Sequence, residues 1–345
     1  KFDDAIKACL NLLEPYPSSA ILNITLGKCY FELGQIDLAI SSCTKATEYW
    51  PKSEASYALL GQIYSSQGDT EQAIKNLSKA VRLKPDDEGL NSLLMLELSQ
   101  NGSAEDIIES WKLVLKINPN YAKGYFNLGN ALADKGDLDA RIDSYKKALK
   151  IKPDYADAYF NMGNALNDKG ELDAAIDSYK QALKLNPDFA EAYYNMGNTL
   201  VDQGKLEGAI EAYWKALSVK PDCAEAYNNI GDALTRQDKL EEAVEAFSKA
   251  LSLKSDFAEA YSNMGNTLVD QGKLEGAIKA YRKAIAIKPN LAEVYNNMSL
   301  ALLATQNFSQ GFKLHEWRWK TKERDGTFLQ SSKPLWNNEQ GKSVF

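Results

Sequence analysis

The sequence is poor in the residues that build metal sites and disulfide frameworks. It has one histidine and four cysteines, and no two cysteines have the CxxC spacing. An ordinary zinc site needs four Cys or His ligands, and small secreted domains carry dense cysteine pairs. We therefore expect no metal, no cofactor and a cytoplasmic protein, in which Cys9, Cys29, Cys43 and Cys223 act as small buried apolar residues.

Basic charge and long apolar runs are also scarce. The 47 acids outnumber the 40 lysines and arginines, so the net charge is −7, whereas proteins that hold phosphate backbones usually present a basic surface. No apolar run reaches the roughly 18 residues that span a bilayer. We expect neither a nucleic-acid nor a membrane partner. The start, KFDDAIKACL, has no initiating Met and no secretory signal, so we also expect a fragment of a longer chain.

The prolines are few but regularly spaced. Eight of the ten follow one another at 34-residue intervals, except for one gap of 68 in which Ser255 takes the missing place. Because proline breaks a helix, each one marks the end of a unit in a tandem repeat. These prolines are Pro17, Pro51, Pro85, Pro119, Pro153, Pro187, Pro221 and Pro289.

Each 34-residue unit has the pattern of two helices. In the unit 156–189, Tyr159 and Gly163 lie at helical spacing in the first half, and Ala175 and Tyr179 do so in the second. Small residues at the glycine and alanine places let two antiparallel helices approach closely. A larger side chain there is expected to cost about 1 to 3 kcal/mol. Each unit is therefore predicted to be a helical hairpin.

Turn residues mark where the helices begin and end. Gly170 and its equivalents, Gly136, Gly204 and Gly272, are predicted to end first helices with a positive φ. Asp154 and its equivalents, Asp188, Asp222 and Asp256, are predicted to cap the next first helix. The chain is predicted to have three parts: 1–19, the second helix of a truncated repeat; 20–325, nine units; and 326–345, a C-terminal cap or junction. Among the nine units, 88–121 is degenerate and 292–325 is atypical.

By its period and these residues the sequence resembles the tetratricopeptide repeat family, over nearly the whole chain to about residue 320. The resemblance implies an all-α, right-handed α-solenoid of helical hairpins, whose first helices line a concave groove that binds peptides or proteins. Arg141 departs from the pattern because it takes the tight alanine place, so its charge must reach solvent or a carboxylate. The unit from 190 matches at Tyr193, Met196, Gly197, Leu200, Ala209, Tyr213, Ala216 and Pro221.

Polar residues form a stripe along each first helix. Counting the first residue of a unit as place 1, places 2, 6, 9 and 13 follow steps of four, three and four, which puts them on one face. The candidate binding residues are Asn127, Asn161, Asn195, Asn229, Asn263 and Asn297 at place 6, Asn130, Asn164, Asn198, Asp232 and Asn266 at place 9, and Asp168, Asp202 and Asp270 at place 13. Beside place 6 lie Phe126, Phe160 and Tyr194.

The repeated asparagine at place 6 has two interpretations. Its amide offers two donors and an acceptor group, so it can satisfy both halves of a peptide bond in an extended protein or peptide segment. It could instead join its own helix to the adjacent repeat. The row resembles the asparagine ladder of O-linked N-acetylglucosamine transferases, which implies grip on peptide backbones by the place-6 asparagines alone.

Acids outnumber bases on the stripe, so we expect neutral or basic segments as partners and again no nucleic acid. Between 122 and 291 the stripe holds nine acids and two bases. They are Asp134, Asp157, Asp168, Glu191, Asp202, Glu225, Asp232, Glu259 and Asp270, against Lys123 and Arg236.

No residue is predicted to be catalytic. His315, the single histidine, takes a place that is usually large and apolar, so packing is its expected role. The chain is therefore expected to be a non-enzymatic binding scaffold. An uncapped solenoid end at Lys1 would expose apolar surface, which makes end-to-end self-association possible.

The C-terminal segment has two interpretations, a cap on the last repeat or a junction to a further domain. GFKLHEWRWK followed by KPLWNNEQGKSVF resembles the segment that joins such arrays to a glycosyltransferase-like domain in bacterial proteins. This resemblance implies the repeat region of a larger enzyme that recruits its protein substrates. The matching residues are Glu316, Trp317, Arg318, Trp319, Pro334, Leu335, Trp336, Gly341 and Lys342.

Overall fold

The computed structural model describes residues 1–85, 87–98 and 104–317, without the side chains of Asp106 and Asp134. Within these ranges all regular elements are helices, and the chain divides into two compact units, 1–199 and 200 onward. The described part of the chain therefore confirms an all-α helical repeat solenoid.

The helices of the first unit run from α1 to α12, and the division falls within α12. They are α1 Phe2–Leu13, α2 Ala20–Glu32, α3 Ile36–Tyr49, α4 Glu54–Ser66, α5 Thr70–Leu83, α6 Glu88–Leu98, α7 Ala104–Ile117, α8 Ala122–Ala131 with a 3₁₀ turn at Leu132–Lys135, α9 Leu138–Ile151, α10 Ala156–Asp168, α11 Leu172–Leu185 and α12 Ala190–Asp202.

The second unit continues the same alternation of first and second helices. Its helices are α13 Leu206–Val219, α14 Ala224–Arg236, α15 Leu240–Leu253, α16 Ala258–Asp270, α17 Leu274–Ile287, α18 Ala292–Ala304 and α19 Phe308–His315.

A glycine and an aromatic ring form the closest contact within each hairpin. A Cβ added at Gly163 would lie 2.6 Å from Cε1 of Tyr179, and one at Gly265 would lie 2.5 Å from Cε1 of Tyr281. Both tyrosines are fully buried between their helices. Because no real Cβ approaches a ring so closely, the prediction that this place must be small is confirmed.

At the helix ends, the prediction for the glycines is confirmed and the prediction for the aspartates is not. Gly136, Gly170, Gly204 and Gly272 have φ between 70° and 83°, as predicted. Asp238 (φ 62°) and Gln306 (φ 60°) hold the same backbone state without glycine. The predicted aspartate caps are wrong: the residues directly before α10, α14 and α16 are Tyr155, Cys223 and Phe257, which make no side-chain cap, because each aspartate lies one residue too early.

Three of the four cysteines are buried, as the composition predicts. Cys9, Cys29 and Cys43 are buried free thiols in the first unit, and Cys223 is half-buried in the second. Burial raises the pKa of the Cys43 thiol to about 12. Such a thiol stays protonated at neutral pH and behaves as a small apolar side chain.

Candidate functional site: an amide row on the first helices

The polar stripe lies on first helices in both compact units. In the first unit it follows α8, α10 and the start of α12, and in the second it follows α14, α16 and α18. All six place-6 asparagines are half-buried, whereas Asp168, Asp202 and Asp270 at place 13 are exposed. The place-6 amides are therefore deeper than the place-13 carboxylates on the first helices.

In the first unit the amides of successive repeats are joined to one another. Nδ2 of Asn161 donates to Oδ1 of Asn130 over 2.9 Å, and Nδ2 of Asn195 donates to Oδ1 of Asn164 over 2.9 Å. The place-6 asparagine of one repeat thus bonds the place-9 asparagine of the repeat before it. This is the inter-repeat bond that the second interpretation of the row requires.

A buried tyrosine holds each place-9 asparagine from the other side. The Tyr145 hydroxyl donates to Oδ1 of Asn130 over 2.7 Å, and the Tyr179 hydroxyl donates to Oδ1 of Asn164 over 2.8 Å. Burial raises the pKa of Tyr179 to about 12, so its hydroxyl remains a donor at neutral pH. One carbonyl oxygen therefore accepts two hydrogen bonds and links two helices of its own repeat with the next repeat.

In the second unit, one place-9 asparagine accepts from both a tyrosine and a place-6 asparagine, as in the first unit, and one place-6 asparagine bonds differently. Asn266 accepts from the Tyr281 hydroxyl over 2.8 Å and from Nδ2 of Asn297 over 3.1 Å. Asn263 instead donates to Oδ1 of Asn228 over 3.2 Å. The departure has a clear cause, because place 9 of the preceding repeat is Asp232 and the tyrosine place is Phe247, which has no hydroxyl.

The inter-repeat bonds use only part of each amide. Asn195 and Asn297 each donate one side-chain hydrogen bond, and neither makes another within the described ranges. Asn127 differs, because place 9 of the preceding unit is Leu96, which has no side-chain acceptor. Its half-buried amide makes no hydrogen bond to any residue that the structure describes. The row therefore keeps polar atoms available along its length.

The aromatic residues beside the row pack between helices. The Phe126 ring lies 4.9 Å from that of Tyr155, and the Phe160 ring lies 4.6 Å from that of Phe189. Both phenylalanines, like Tyr194 at the same place on α12, are half-buried. These rings support the row from one side while keeping an exposed edge.

The acidic excess is smaller than the sequence count implies, because two of the acids are neutralised. Nη1 of Arg141 lies 3.2 Å from Oδ2 of Asp168, which confirms that this arginine finds a carboxylate. Glu225 pairs with Lys254 over 2.8 Å. Asp202 and Asp270 form no ion pair with any lysine or arginine in the described ranges.

The stripe lines a pocket in the second unit. A cavity of about 420 Å³ lies between α16, α17 and α18, with Asn266, Asn297 and Asp270 on its polar side. Leu300, which is 51% exposed, and Val269 supply apolar surface to the same cavity. Amide groups, one carboxylate and apolar side chains therefore converge in this pocket.

The described part of the chain includes the single histidine, His315. It holds no group of three or more His, Cys, Asp or Glu side chains placed to bind a metal ion. His315 is half-buried, and its Nδ1 lies 3.2 Å from the Ser299 hydroxyl, consistent with packing. Among the helices described, none is long and apolar enough to cross a membrane. The predicted junction lies mostly outside the described residues, which end at Trp317.

Sequence reasoning missed the tyrosine hydroxyls as members of the row. The signal is present in the chain itself, since Asn at place 9 accompanies Tyr145, Tyr179 and Tyr281, and the aspartate at place 9 accompanies Phe247. The pairing of these two places predicts a contact between the hydroxyl and the amide.

Asp232→Asn should stabilise the second unit at neutral pH. Burial raises the pKa of the Asp232 carboxyl, and the charge of Arg236 lowers it. The effect of burial is the larger of the two, so the pKa is raised. An acid whose pKa is raised in the folded state destabilises the fold when it is ionised. This loss of stability is absent below the ordinary pKa of 3.8 and grows as the pH rises through the raised pKa. Thermal melts should show a gain in Tm that shrinks as the pH falls toward 3.8.

The controls for Asp232→Asn come from the same stripe. Adding Phe247→Tyr should restore the Asn–Tyr bond and contribute about 1 kcal/mol more. Asp270→Asn, at an exposed carboxylate, should change stability by less than about 0.5 kcal/mol. A Tm gain for Asp232→Asn that is independent of pH would contradict this explanation.

Two family models match the sequence. The first, described as TPR repeat, matches residues 129–168, 163–204, 197–238, 231–270 and 265–306. The second, described as Tetratricopeptide repeat, matches residues 17–86. A comparison with curated proteins finds no match.

The chain is similar to several solved structures, three of which are described here. MamA is 34% identical, with a TM-score of 0.46, over 48% of this chain and 97% of MamA. YrrB, described as a TPR protein with an unusual peptide-binding site, is 26% identical, with a TM-score of 0.48, over 58% of this chain and 99% of YrrB. PilF of Pseudomonas aeruginosa is 20% identical, with a TM-score of 0.52, over 59% of this chain and 92% of PilF, a likeness of fold.

Proposed function

The chain belongs to the tetratricopeptide repeat family, and we propose that it is a non-enzymatic scaffold that binds extended protein or peptide segments along its amide row. The observation that carries the proposal is the chain of hydrogen bonds from tyrosine to place-9 asparagine to place-6 asparagine. Those bonds orient the place-6 amides of Asn161, Asn195 and Asn297 and leave part of their hydrogen-bonding capacity unused.

The two interpretations of the asparagine row are compatible in this proposal. An asparagine that already bonds its neighbour loses little side-chain entropy when a ligand arrives, so the inter-repeat bond lowers the cost of binding. The remaining amide groups suit a peptide backbone, which offers one donor and one acceptor per residue. The likeness to the ladder of O-linked N-acetylglucosamine transferases supports the same role.

The charge of the row favours neutral or basic segments. Asp202 and Asp270 have no ion-pair partner in the described ranges, and the pocket beside Asp270 also exposes Leu300. A segment with a lysine or arginine near an apolar side chain fits that combination. Nucleic acid does not, because its phosphates would face carboxylates.

A larger enzyme remains the alternative proposal. The segment from 311 resembles a junction to a bacterial glycosyltransferase-like domain, and Trp317 in this segment stacks on Tyr295 with ring centroids 4.1 Å apart. In that case the row would recruit protein substrates. Transfer of a sugar by the parent chain, with none by this chain alone, would favour it.

Asn127→Ala is the sharpest test of ligand binding, because this amide makes no inter-repeat bond. A peptide is first selected from a random library against the wild-type chain, and its Kd is then measured by fluorescence anisotropy. We expect about three- to tenfold weaker binding with an unchanged Tm, the loss of about one hydrogen bond. Asn161→Ala should weaken binding and also lower the Tm, because it breaks the bond to Asn130.

The control is Lys180→Ala on the exposed side of α11, which should change neither quantity. The selected peptides should be neutral or basic. Failure to select any peptide, or unchanged affinity in both asparagine variants, would overturn the proposal.

A further inference from the structure

A second groove lies in the second unit between the second helices α13 and α15, with α14 at its base. Its cavity volume is about 530 Å³. It is formed by different helix faces from the amide row: Trp214 comes from α13, Glu242 and Glu245 from α15, and Tyr227 from the apolar side of α14. Ligand binding here would therefore be separate from binding along the row.

Trp214 is an exception among the repeats. The same place holds Lys146, Lys180, Ser248 and Arg282 in other units, which are ordinary residues for an exposed helix face. Trp214 is 49% exposed, and its ring meets that of Tyr227 edge-on, with centroids 5.8 Å apart. Packing between repeats does not require this ring, because the other units manage without it.

The groove also carries unpaired carboxylates. Glu207, Glu242 and Glu245 line it and form no ion pair within the described ranges. Lys239 and Lys249 line it as well, so three acids and two bases leave a charge of −1. An exposed indole face next to carboxylates is a setting in which cations bind.

The groove between α15 and α17 provides an internal comparison. There Ser248 replaces the tryptophan, Gly276 and Lys279 stand in the places of Glu242 and Glu245, and Lys273 and Lys283 stand in those of the two lysines. With Glu241 as its one acid, that neighbouring groove has a charge of +2 from the equivalent places. The aromatic and acidic character belongs to the α13–α15 groove and is not a property of the repeat.

A buried amide in the groove lacks partners. Neither Oε1 nor Nε2 of Gln237 makes a hydrogen bond in the described part of the chain, and both atoms are buried. The same is true of Gln271 at the equivalent place of the α15–α17 groove, so this amide is common to the two grooves and does not set the α13–α15 groove apart. A peptide group carries one donor and one acceptor, which are the two partners that this amide would gain by turning toward a bound segment.

We propose that the α13–α15 groove binds an arginine residue of a partner protein segment. The guanidinium lies on the exposed face of Trp214 and donates to the carboxylate of Glu245, while the adjoining peptide group pairs with Gln237. Arginine fits better than lysine, because its planar group stacks on an aromatic face and spreads five donors over several acceptors.

The test uses the full chain and the peptide acetyl-Gly-Arg-Gly-amide. Addition of the peptide should shift the indole NMR signal of Trp214, which is identified by its loss in Trp214→Lys, and the shift should saturate. The citrulline peptide, a neutral analogue of the same shape, should bind at least about fivefold more weakly, the equivalent of about 1 kcal/mol. Free arginine should also bind more weakly, because it lacks the peptide groups.

Variants and controls complete the test. Trp214→Lys installs the residue found at this place in three other repeats, as Lys112, Lys146 and Lys180. The fold should therefore persist, while calorimetry should detect no binding of the peptide. Glu245→Gln should weaken binding about threefold, and Glu241→Gln in the neighbouring groove should not. The proposal would be overturned if the Trp214 signal did not move, or if the citrulline peptide shifted it equally. Equal binding of the peptide that carries lysine in place of arginine, or full binding by Trp214→Lys, would also overturn it. Asn127→Ala should leave this binding unchanged, which separates it from the amide row.

Discussion

Gly163→Ala should destabilise its hairpin by about 1 to 3 kcal/mol. The added Cβ would lie 2.6 Å from Cε1 and 2.8 Å from Cδ1 of Tyr179. That ring cannot move aside easily, because it is 1% exposed and its hydroxyl is bonded to Asn164. The helices must therefore separate, and the Asn164 bond should weaken with them.

The measurement should resolve single hairpins, because repeat proteins can unfold in parts. Hydrogen exchange of the amides in α10 and α11 is suitable, with urea unfolding as the global readout. Gly208→Ala is the matched control, since its added Cβ would meet Leu200 at an ordinary 3.6 Å. That variant should be neutral or stabilised by up to about 1 kcal/mol through helix propensity. Equal stability of Gly163→Ala and the parent would show that the contact is not tight.

Asn164→Ala should cost about 2 to 3 kcal/mol, because one side chain accepts two hydrogen bonds. Its loss leaves the fully buried Tyr179 hydroxyl without an acceptor and breaks the bond from Asn195. Asn195→Ala should cost less, about 1 kcal/mol, since it removes one bond and leaves a half-buried acceptor still bonded to tyrosine.

A double-mutant cycle isolates the tyrosine bond. Tyr179→Phe removes the hydroxyl, so Asn164→Ala should cost about 1 kcal/mol less in that background than in the parent. Urea unfolding of the four proteins supplies the coupling energy. Strictly additive losses would mean that the Asn–Tyr bond contributes nothing, and the row would then be oriented by packing alone.

Local rules predicted the hairpins well, because each rule acts within one unit. Gly170 ends α10 with a positive φ since few other residues adopt that state at low cost. Gly163 must be small because a ring of the same hairpin fills the space. The capping prediction failed for Asp154, since a cap depends on the exact residue at which a helix begins, and a repeat period does not set that to one residue.

The sequence predicted the type of contact between repeats but not the residues that pair. Arg141 was expected to find a carboxylate, but its partner Asp168 lies in the next unit. The stripe of asparagines was readable at helical spacing, whereas the direction of its bonds was not. A place-6 amide donates to the preceding repeat because stacking brings that repeat's place-9 oxygen within 2.9 Å.

The sequence alone determined the repeat, the helical hairpin, the small residues where its two helices meet and the helix face that carries the asparagines. Both the 34-residue repeat period and the 3.6-residue helical period can be recognised from the order of the residues. The tertiary structure decided which amide atoms are used between repeats and placed the hydroxyls of Tyr145 and Tyr179 within hydrogen-bond distance of their asparagines. It also placed Trp214 against Tyr227 beside unpaired carboxylates. These features depend on distances between helices, which stacking sets and residue order does not.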